Sequence, residues 1–291
     1  MGGDIYYTGE PLQIGQQWQL LLDNSVVEDR FRLERVLRPP QKYPHNPVLT
    51  RDRPWEGDCV AHNWVIRDDD WGGYRMWYLC FSRSRYHGAP GAPYFLCYAE
   101  SDDGVHWEKP LLDVLDVPGF DRTNIVYEGT SYPRVQGPQV WRDEAEEDES
   151  RRYKMICVER RPDPEEQMRS GVQMAYSPDG LNWRLDEEER PLLDYHSDTH
   201  NHVVRAPAGD LWLLYCRPIL VHAGSPARRR ETLPEGMNAR RHSGRRLSVA
   251  TSEDLHNWSF PRSVLYPDER DAPDIDQTLV FRAGGSLVMM Y

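Results

Sequence analysis

The chain has 291 residues, 47 of them acidic and 35 basic, for a formal net charge of −12. That balance argues against a nucleic-acid surface. No stretch stays apolar over membrane length and no basic-plus-apolar leader opens at Met1, so the expectation is a soluble, cytoplasmic protein with neither nucleic acid nor membrane as partner.

In chain order, residues 1–54 hold one strand-like run, Gln19–Asp23, followed by Pro39, Pro40, Pro44 and Pro47. Closely spaced prolines fix φ and remove backbone donors, which predicts an extended segment wrapped over a surface. From Trp55 onward the sequence repeats. Three segments share one pattern: Ser101-Asp102-Asp103-Gly104-Val105-His106-Trp107, Ser177-Pro178-Asp179-Gly180-Leu181-Asn182-Trp183 and Ser252-Glu253-Asp254-Leu255-His256-Asn257-Trp258, with the serines 76 and 75 residues apart. Each follows a short strand-like run, and Asp-Gly after such a run predicts a tight turn from which Trp starts the next strand. A second series has the same period: Val65-Ile66-Arg67, Val140-Trp141-Arg142, Val203-Val204-Arg205 and Val280-Phe281-Arg282, each followed by a polar turn and another apolar strand. The repeated unit is therefore strand, turn, strand, longer loop, strand, tight turn, strand. Four antiparallel strands per repeat make a propeller blade.

The fold expected is all-β, a five-bladed β-propeller present as about three and a half four-stranded antiparallel blades. The segment 1–54 precedes a propeller domain of residues 55–291, with blades at about 55–118, 119–194, 195–267 and an incomplete 268–291. A half-made last blade would leave an open sheet edge, so the chain is expected to be a fragment of a longer protein. Five cysteines, an odd count with no Cys-x-x-Cys spacing, fit reduced thiols packed in strands. The 10 Trp and 16 Tyr suit half-buried β surface, with a few left over for stacking on sugars. The acidic run Asp143–Glu149 reads as a solvated hairpin tip. The long Arg-rich loop Arg217–Arg246 reads as either functional or mobile.

Alternating strand direction puts the three Ser-x-Asp turns on one face, where their role is structural. The starts of the innermost strands gather on the other face, around the channel where propellers hold ligands. Aligned on the Val-x-Arg series, the position five residues before each Arg reads His62, Gly137, His200 and Gln277. Asp58, Asp198, Asp274 and Asp276 lie just upstream, and His202 shares a side with His200 by alternation. Carboxylates and imidazoles converging on one channel mouth are material for acid–base chemistry, and His62, His200 and His202 also make a metal site conceivable.

These blade endings, with Trp55-Glu56-Gly57-Asp58 ahead of the first strand and Tyr74–Tyr78 after it, resemble the five-bladed β-propeller glycoside hydrolases: invertase, levansucrase, arabinanase and β-xylosidase among them. The resemblance covers about Trp55 to Tyr291. It implies hydrolysis of glycosidic bonds in an oligo- or polysaccharide, with Asp58 at the position of the nucleophile or base. The second expected carboxylate, in blade two, is replaced by Gln136-Gly137-Pro138. The expected blade-three acid is a Glu, where this chain has Asp198 and His200. Candidate catalytic residues are thus Asp58, Asp198, His200, Asp276 and Glu159. Candidate substrate contacts are Trp55, His62, His202, Gln136, Arg160, Arg217 and Asp274. No cofactor is required by such chemistry, though a divalent metal ion on the histidines is an alternative. Two further readings stay open: a non-catalytic carbohydrate-binding propeller, and a metal-dependent lyase or esterase using the channel histidines.

Overall fold

The computed structural model describes residues 15–291 except 17, 22–23, 25–26, 28–29, 37, 90, 130–134, 162–168, 187–191, 194–196, 198–199, 218–245, 266–270, 272–274 and 276–277. Three antiparallel four-stranded sheets and one hairpin carry the repeat. Blade one is β1 (Cys59–Asp68), β2 (Gly73–Phe81), β3 (Tyr94–Ser101) and β4 (Ile125–Tyr127). Blade two is β5 (Val135–Arg142), β6 (Tyr153–Arg161), β7 (Arg169–Ser177) and β8 (Arg184–Leu185). Blade three is β9 (His202–Arg205), β10 (Trp212–Cys216), β11 (Leu247–Ser252) and β12 (Arg262–Leu265). The hairpin β13 (Leu279–Ala283) and β14 (Ser286–Met290) follows. One short helix, α1 (Arg83–Tyr86), lies between β2 and β3. This is the fold of the sequence repeat. Among the described residues no helix is long and apolar enough to cross a membrane.

Two expectations shift in detail. In blade one Trp107 does not open the outer strand. Glu108 makes a single bridge to Glu100, and β4 pairs with β3 only from Ile125, beyond the boundary expected at 118. Pro110 follows that bridge at once and has no N–H to continue the ladder. At the N-terminal end, Gln19, Leu20 and Leu21 lie outside any strand.

The three Ser-x-Asp turns are superimposable in their bonding. Each Ser Oγ donates to the Asp Oδ1 and accepts the N–H three residues on, at 2.9, 2.8 and 3.0 Å from Gly104, Gly180 and Leu255. The Asp Oδ1 takes the next two N–H groups, and the Trp indole N–H closes on the carbonyl of Gly104, Gly180 or Leu255 at 3.1, 3.0 and 2.9 Å. Accepting so many donors holds the Asp103 and Asp254 carboxyls well below the ordinary carboxylate range, through His106 first in one and the Asn257 N–H first in the other.

The blade-two turn also joins blades. Trp77 Nε1 of β2 donates to Gly180 O at 2.7 Å, and Arg75 Nη2 donates to Asp179 O at 2.5 Å. Beside them Asp68, at the end of β1 and 1 % exposed, accepts from Arg75 (3.2 Å), Arg142 of β5 (3.1 Å), the Tyr153 hydroxyl and the Trp71 N–H (3.2 Å). Burial alone would raise the Asp68 pKa. The bonds from Tyr153, Trp71 and Arg75 outweigh it and leave the carboxyl below its ordinary value. Blades two and three are clamped differently: the Gln139 side-chain amide of β5 pairs with Val203 of β9 as another strand would, donating to its carbonyl at 2.8 Å and accepting its N–H at 2.6 Å.

The core lies between blades. Trp77, Leu96, Tyr98, Val140, Tyr153 and Met155 are buried together between blades one and two, and Ile156, Met174, Tyr176, Trp212 and Leu214 between two and three. Each large apolar side chain so buried contributes about 1.5–3 kcal/mol. A third cluster is internal to blade one and includes Trp55, Tyr78, Phe95 and Ile125. Cys80, Cys97, Cys157 and Cys216 are buried and Cys59 is exposed, all outside any disulfide.

Candidate functional site

The face opposite the turns is built from the start of each inner strand, and there the strands are irregular in a repeated way. In β1 the pairing jumps between Ala61 and Trp64, three residues against two on β2. In β5 it jumps between Gln136 and Gln139, again three against two on β6. Each jump is a one-residue bulge, which bends the strand and re-aims its side chains. The second residue of each lies in the left-handed region: His62 at φ 48° and Gly137 at φ 53°. His200, at the same phase ahead of β9, has φ 68°. So the three described members of the aligned series share a positive φ, and two of them are histidines in a region that costs an L residue about 1–2 kcal/mol. Such strain persists where surrounding structure imposes it, and it clusters at functional sites.

The bulges bring the channel residues together. The rings of His62 and His200 lie 4.4 Å apart between centroids, tilted by 56°. Trp64 and His202 meet edge to face at 5.2 Å. His202 is buried and accepts the Val280 N–H of β13 on Nδ1 at 3.5 Å. Burial lowers its pKa to about 4, so it is neutral near pH 7 and serves as an acceptor rather than a proton shuttle. Ser197 anchors this corner, donating to Asn201 Oδ1 at 2.8 Å and accepting the backbone N–H of Arg217 at 3.2 Å. Arg217 follows β10, is buried, and lines a recess with His200, Arg246, Leu247, Ile275 and Thr278.

Asp58 stands at the same end of blade one. Its N–H donates to Phe81 O at 2.7 Å, and its Oδ2 accepts the Arg83 N–H, the first turn of α1, at 2.6 Å. Gly57 permits this approach: it has φ 68°, and a Cβ there would stand 2.5 Å from the Phe81 carbonyl oxygen. The result is an exposed carboxylate with one oxygen oriented by backbone. Trp55 is placed elsewhere. Expected at the substrate, it is 7 % exposed in the blade-one core, edge to face with Phe120, its Nε1 donating to Asn124 Oδ1 at 2.7 Å. Asn124 in turn donates to the Tyr78 hydroxyl, which donates to Glu56, and the fully buried Glu56 pairs with Lys109 Nζ at 2.5 Å. The Trp-Glu-Gly-Asp sequence is thus an anchor that ends in a functional candidate.

Of the remaining candidates, Gln136 lies on β5 opposite Val158, immediately before the bulge. Glu159 and Arg160 lie on β6, with Glu159 opposite Val135 at the channel end of that strand. Asp198, Asp274 and Asp276, with Gln277 of the aligned series, fall outside the described residues. One carboxyl escaped the sequence reading. Glu128 directly follows β4, and burial raises its pKa while the charge of Arg85 on α1 acts against the rise. Asp58 and Glu128 therefore approach the same short helix, one through its first N–H and the other through Arg85. Among the described residues no group of three His, Cys, Asp or Glu side chains forms a metal set.

No protein-family model matches the chain. Two curated relatives come from Mycobacterium tuberculosis. The uncharacterized protein Rv1502 is 29 % identical over 180 residues, covering 62 % of this chain and 49 % of the relative. The uncharacterized protein MT1551, from a second strain, is 31 % identical over 119 residues, covering 41 % and 36 %. The matched part of this chain spans about half the length of these relatives or less. Among solved structures, a thermostable family-43 glycoside hydrolase is similar with a TM-score of 0.51 and 13 % identity, over 80 % of this chain and 64 % of that one. An N-acetylgalactosamine deacetylase from F. plautii, solved with blood group B trisaccharide, is similar with a TM-score of 0.50 and 16 % identity, over 81 % and 61 %. At these identities the likeness is one of fold. This chain has the propeller fold of the glycoside hydrolases.

Proposed function

We propose that the protein hydrolyses a glycosidic bond in an oligo- or polysaccharide at the channel face. The observation that carries this reading is the meeting of the His62 and His200 rings at 4.4 Å, both residues held at positive φ, at the strand starts where Asp58 stands just ahead of β1. Hydrolysis needs a carboxylate on one side of the sugar and an acid to protonate the leaving oxygen. Asp58, exposed and oriented, takes the first role. Asp198, Glu159 and Asp276 remain candidates for the second, and Glu128 joins them because a carboxyl raised by burial is suited to donate a proton. His62 and His200 position the sugar.

The test is a hydrolysis screen on natural oligosaccharides and aryl glycosides, comparing wild type with Asp58→Asn. The Asn carbonyl oxygen still accepts the Arg83 N–H, so the fold at α1 is retained. The expected loss is about 10²–10⁴-fold. A folded wild type that binds glycans without cleaving any of them would make this a carbohydrate-binding propeller instead.

The pairing of His62 and His200 at 4.4 Å supports a second reading, metal-dependent hydrolysis with these imidazoles as two of the ligands. Activity that falls in chelator and returns with added divalent metal would favour it over the first.

A further inference from the structure

We propose that an open cleft on the turn face of blade one is a glycan-binding site separate from the channel, taking a neutral oligosaccharide that stacks on Trp71. The carbohydrate reading above supplies the class of ligand. The cleft itself lies on the face opposite the channel and takes no part in the reaction proposed there. It measures about 490 Å³, a size suited to a small-molecule ligand. On one side is the turn from β1 to β2, which carries Trp71; on the other are Glu100 at the end of β3 and the turn residues Asp102, Trp107 and Glu108.

Trp71 is the informative member, an indole 43 % exposed yet held in place. A Cβ on Gly73 would stand 2.4 Å from Trp71 Cζ3 and 2.7 Å from Ser101 O, so the glycine is what lets the ring rest against the sheet. The apolar face of a sugar ring packs on such an aromatic surface. Around it stand acceptors for sugar hydroxyls, since an ionised carboxylate only accepts. Among the described residues the Asp102 and Glu108 carboxylates have no hydrogen-bond partner, and Glu100 receives the Tyr98 hydroxyl at 3.2 Å. Asp103, by contrast, is occupied by its own turn and by His106 at 2.7 Å. Glu100 and Glu108 are paired directly opposite one another, an arrangement of like charges that is unfavourable until donors come between them. Arg75, opposite Glu100 on β2, directs its donors to Tyr98, Asp68 and the Asp179 carbonyl instead.

The fold makes the same turn without these residues. Where blade one has Glu100, Asp102 and Glu108, blade two has Tyr176, Pro178 and Arg184, and blade three has Thr251, Glu253 and Ser259. The turns that match that of Trp71 in the other repeats contain no aromatic residue. Blade one therefore adds a platform and its acceptors to a turn that is complete in their absence. The same carboxylates repel an acidic sugar, which makes the ligand a neutral one.

The test is titration of the full chain, carrying Asp58→Asn so that nothing is cleaved, with neutral gluco-, xylo-, arabino- and manno-oligosaccharides. Binding is read from the indole N–H signals of the tryptophans by NMR, and the signal missing from the Trp71→Phe spectrum is that of Trp71. At least one neutral oligosaccharide is expected to shift that signal, while uronate oligosaccharides leave it in place. Trp71→Ala should weaken binding of the same glycan about tenfold, and Glu108→Gln should weaken it as well. A Trp71 signal that no neutral glycan moves overturns the proposal, as does an equal response to uronates. The signal of the intact indole decides even where Trp71→Ala fails to fold. Hydrolysis by wild type with a silent Trp71 removes this site alone, whereas a responsive Trp71 without hydrolysis removes the hydrolase alone.

Discussion

The two faces of the propeller meet the same demand, a left-handed backbone residue, with opposite chemistry. At the turn face the position is filled by Gly104 at φ 75° and Gly180 at φ 76°, with the Ser, Asp and Trp side chains of each turn hydrogen-bonded around it. At the channel end it is filled by His62 and His200 beside a glycine at Gly137. Glycine relieves strain without adding a functional group; histidine accepts the strain and adds an imidazole. The turn face holds blades together, and the channel face spends the same backbone position on imidazoles, as the proposed function requires. Leu255, at φ 69°, departs from the turn-end rule, and its side chain is buried in the core between blades two and three.

If that contrast is right, damage at the turn end should cost stability and spare chemistry. The largest effect is expected at Asp68. Replacing it with Ala leaves Arg75 and Arg142 without their buried carboxylate, a loss of about 3–5 kcal/mol, read by denaturant unfolding. Because its folded pKa is below the ordinary value, wild-type stability from Asp68 is full above the unfolded pKa and is lost as pH falls through the folded one.

Next in size is an acid effect at the channel end. The folded His202 pKa of about 4 lies below the ordinary 6.5. Between those values the unfolded chain binds more protons, so stability falls as pH drops from 6.5, by about 3 kcal/mol at pH 4. His202→Gln should flatten unfolding free energy across that range. An unchanged slope would mean that another group sets it.

Gly180→Ala comes third. A Cβ there stands 2.7 Å from Trp77 Cζ2, on a backbone of φ 76° that alanine disfavours, for a cost of about 2 kcal/mol. Per folded molecule, activity should be unchanged. The smallest stability change, and the sharpest test, belongs to His62→Gly. Relief of strain offsets the lost ring contact, so melting should stay within about 1 kcal/mol of wild type. Hydrolysis should nevertheless collapse. Retained activity would break the comparison at its functional end.

The sequence made the repeat legible because its signals are local. Ser101, Asp103 and Trp107 act within one turn, and each Val-x-Arg strand is written in consecutive residues. The alignment five residues before each Arg placed His62, Gly137 and His200 in phase, and the backbone agrees. What stayed hidden depends on partners far along the chain. Trp55 has the look of a stacking platform, and only Asn124, 69 residues on, makes it a core anchor. Gln139 is an ordinary polar strand residue until Val203 lies beside it. Glu128 was invisible because its raised pKa comes from burial, and Trp64 reaches His202 only because a bulge turns it there.

The Trp55–Asn124 bond also fixes an order of events during synthesis. A ribosome adding roughly 5–20 residues per second delivers Asn124 some 3–14 s after Trp55. Until then the first blade has neither its outer strand nor a partner for that indole, and the emerging segment must wait with its aromatic side chains uncovered. Any factor that shields nascent chains has its work cut out in that interval, before the second blade has begun to form.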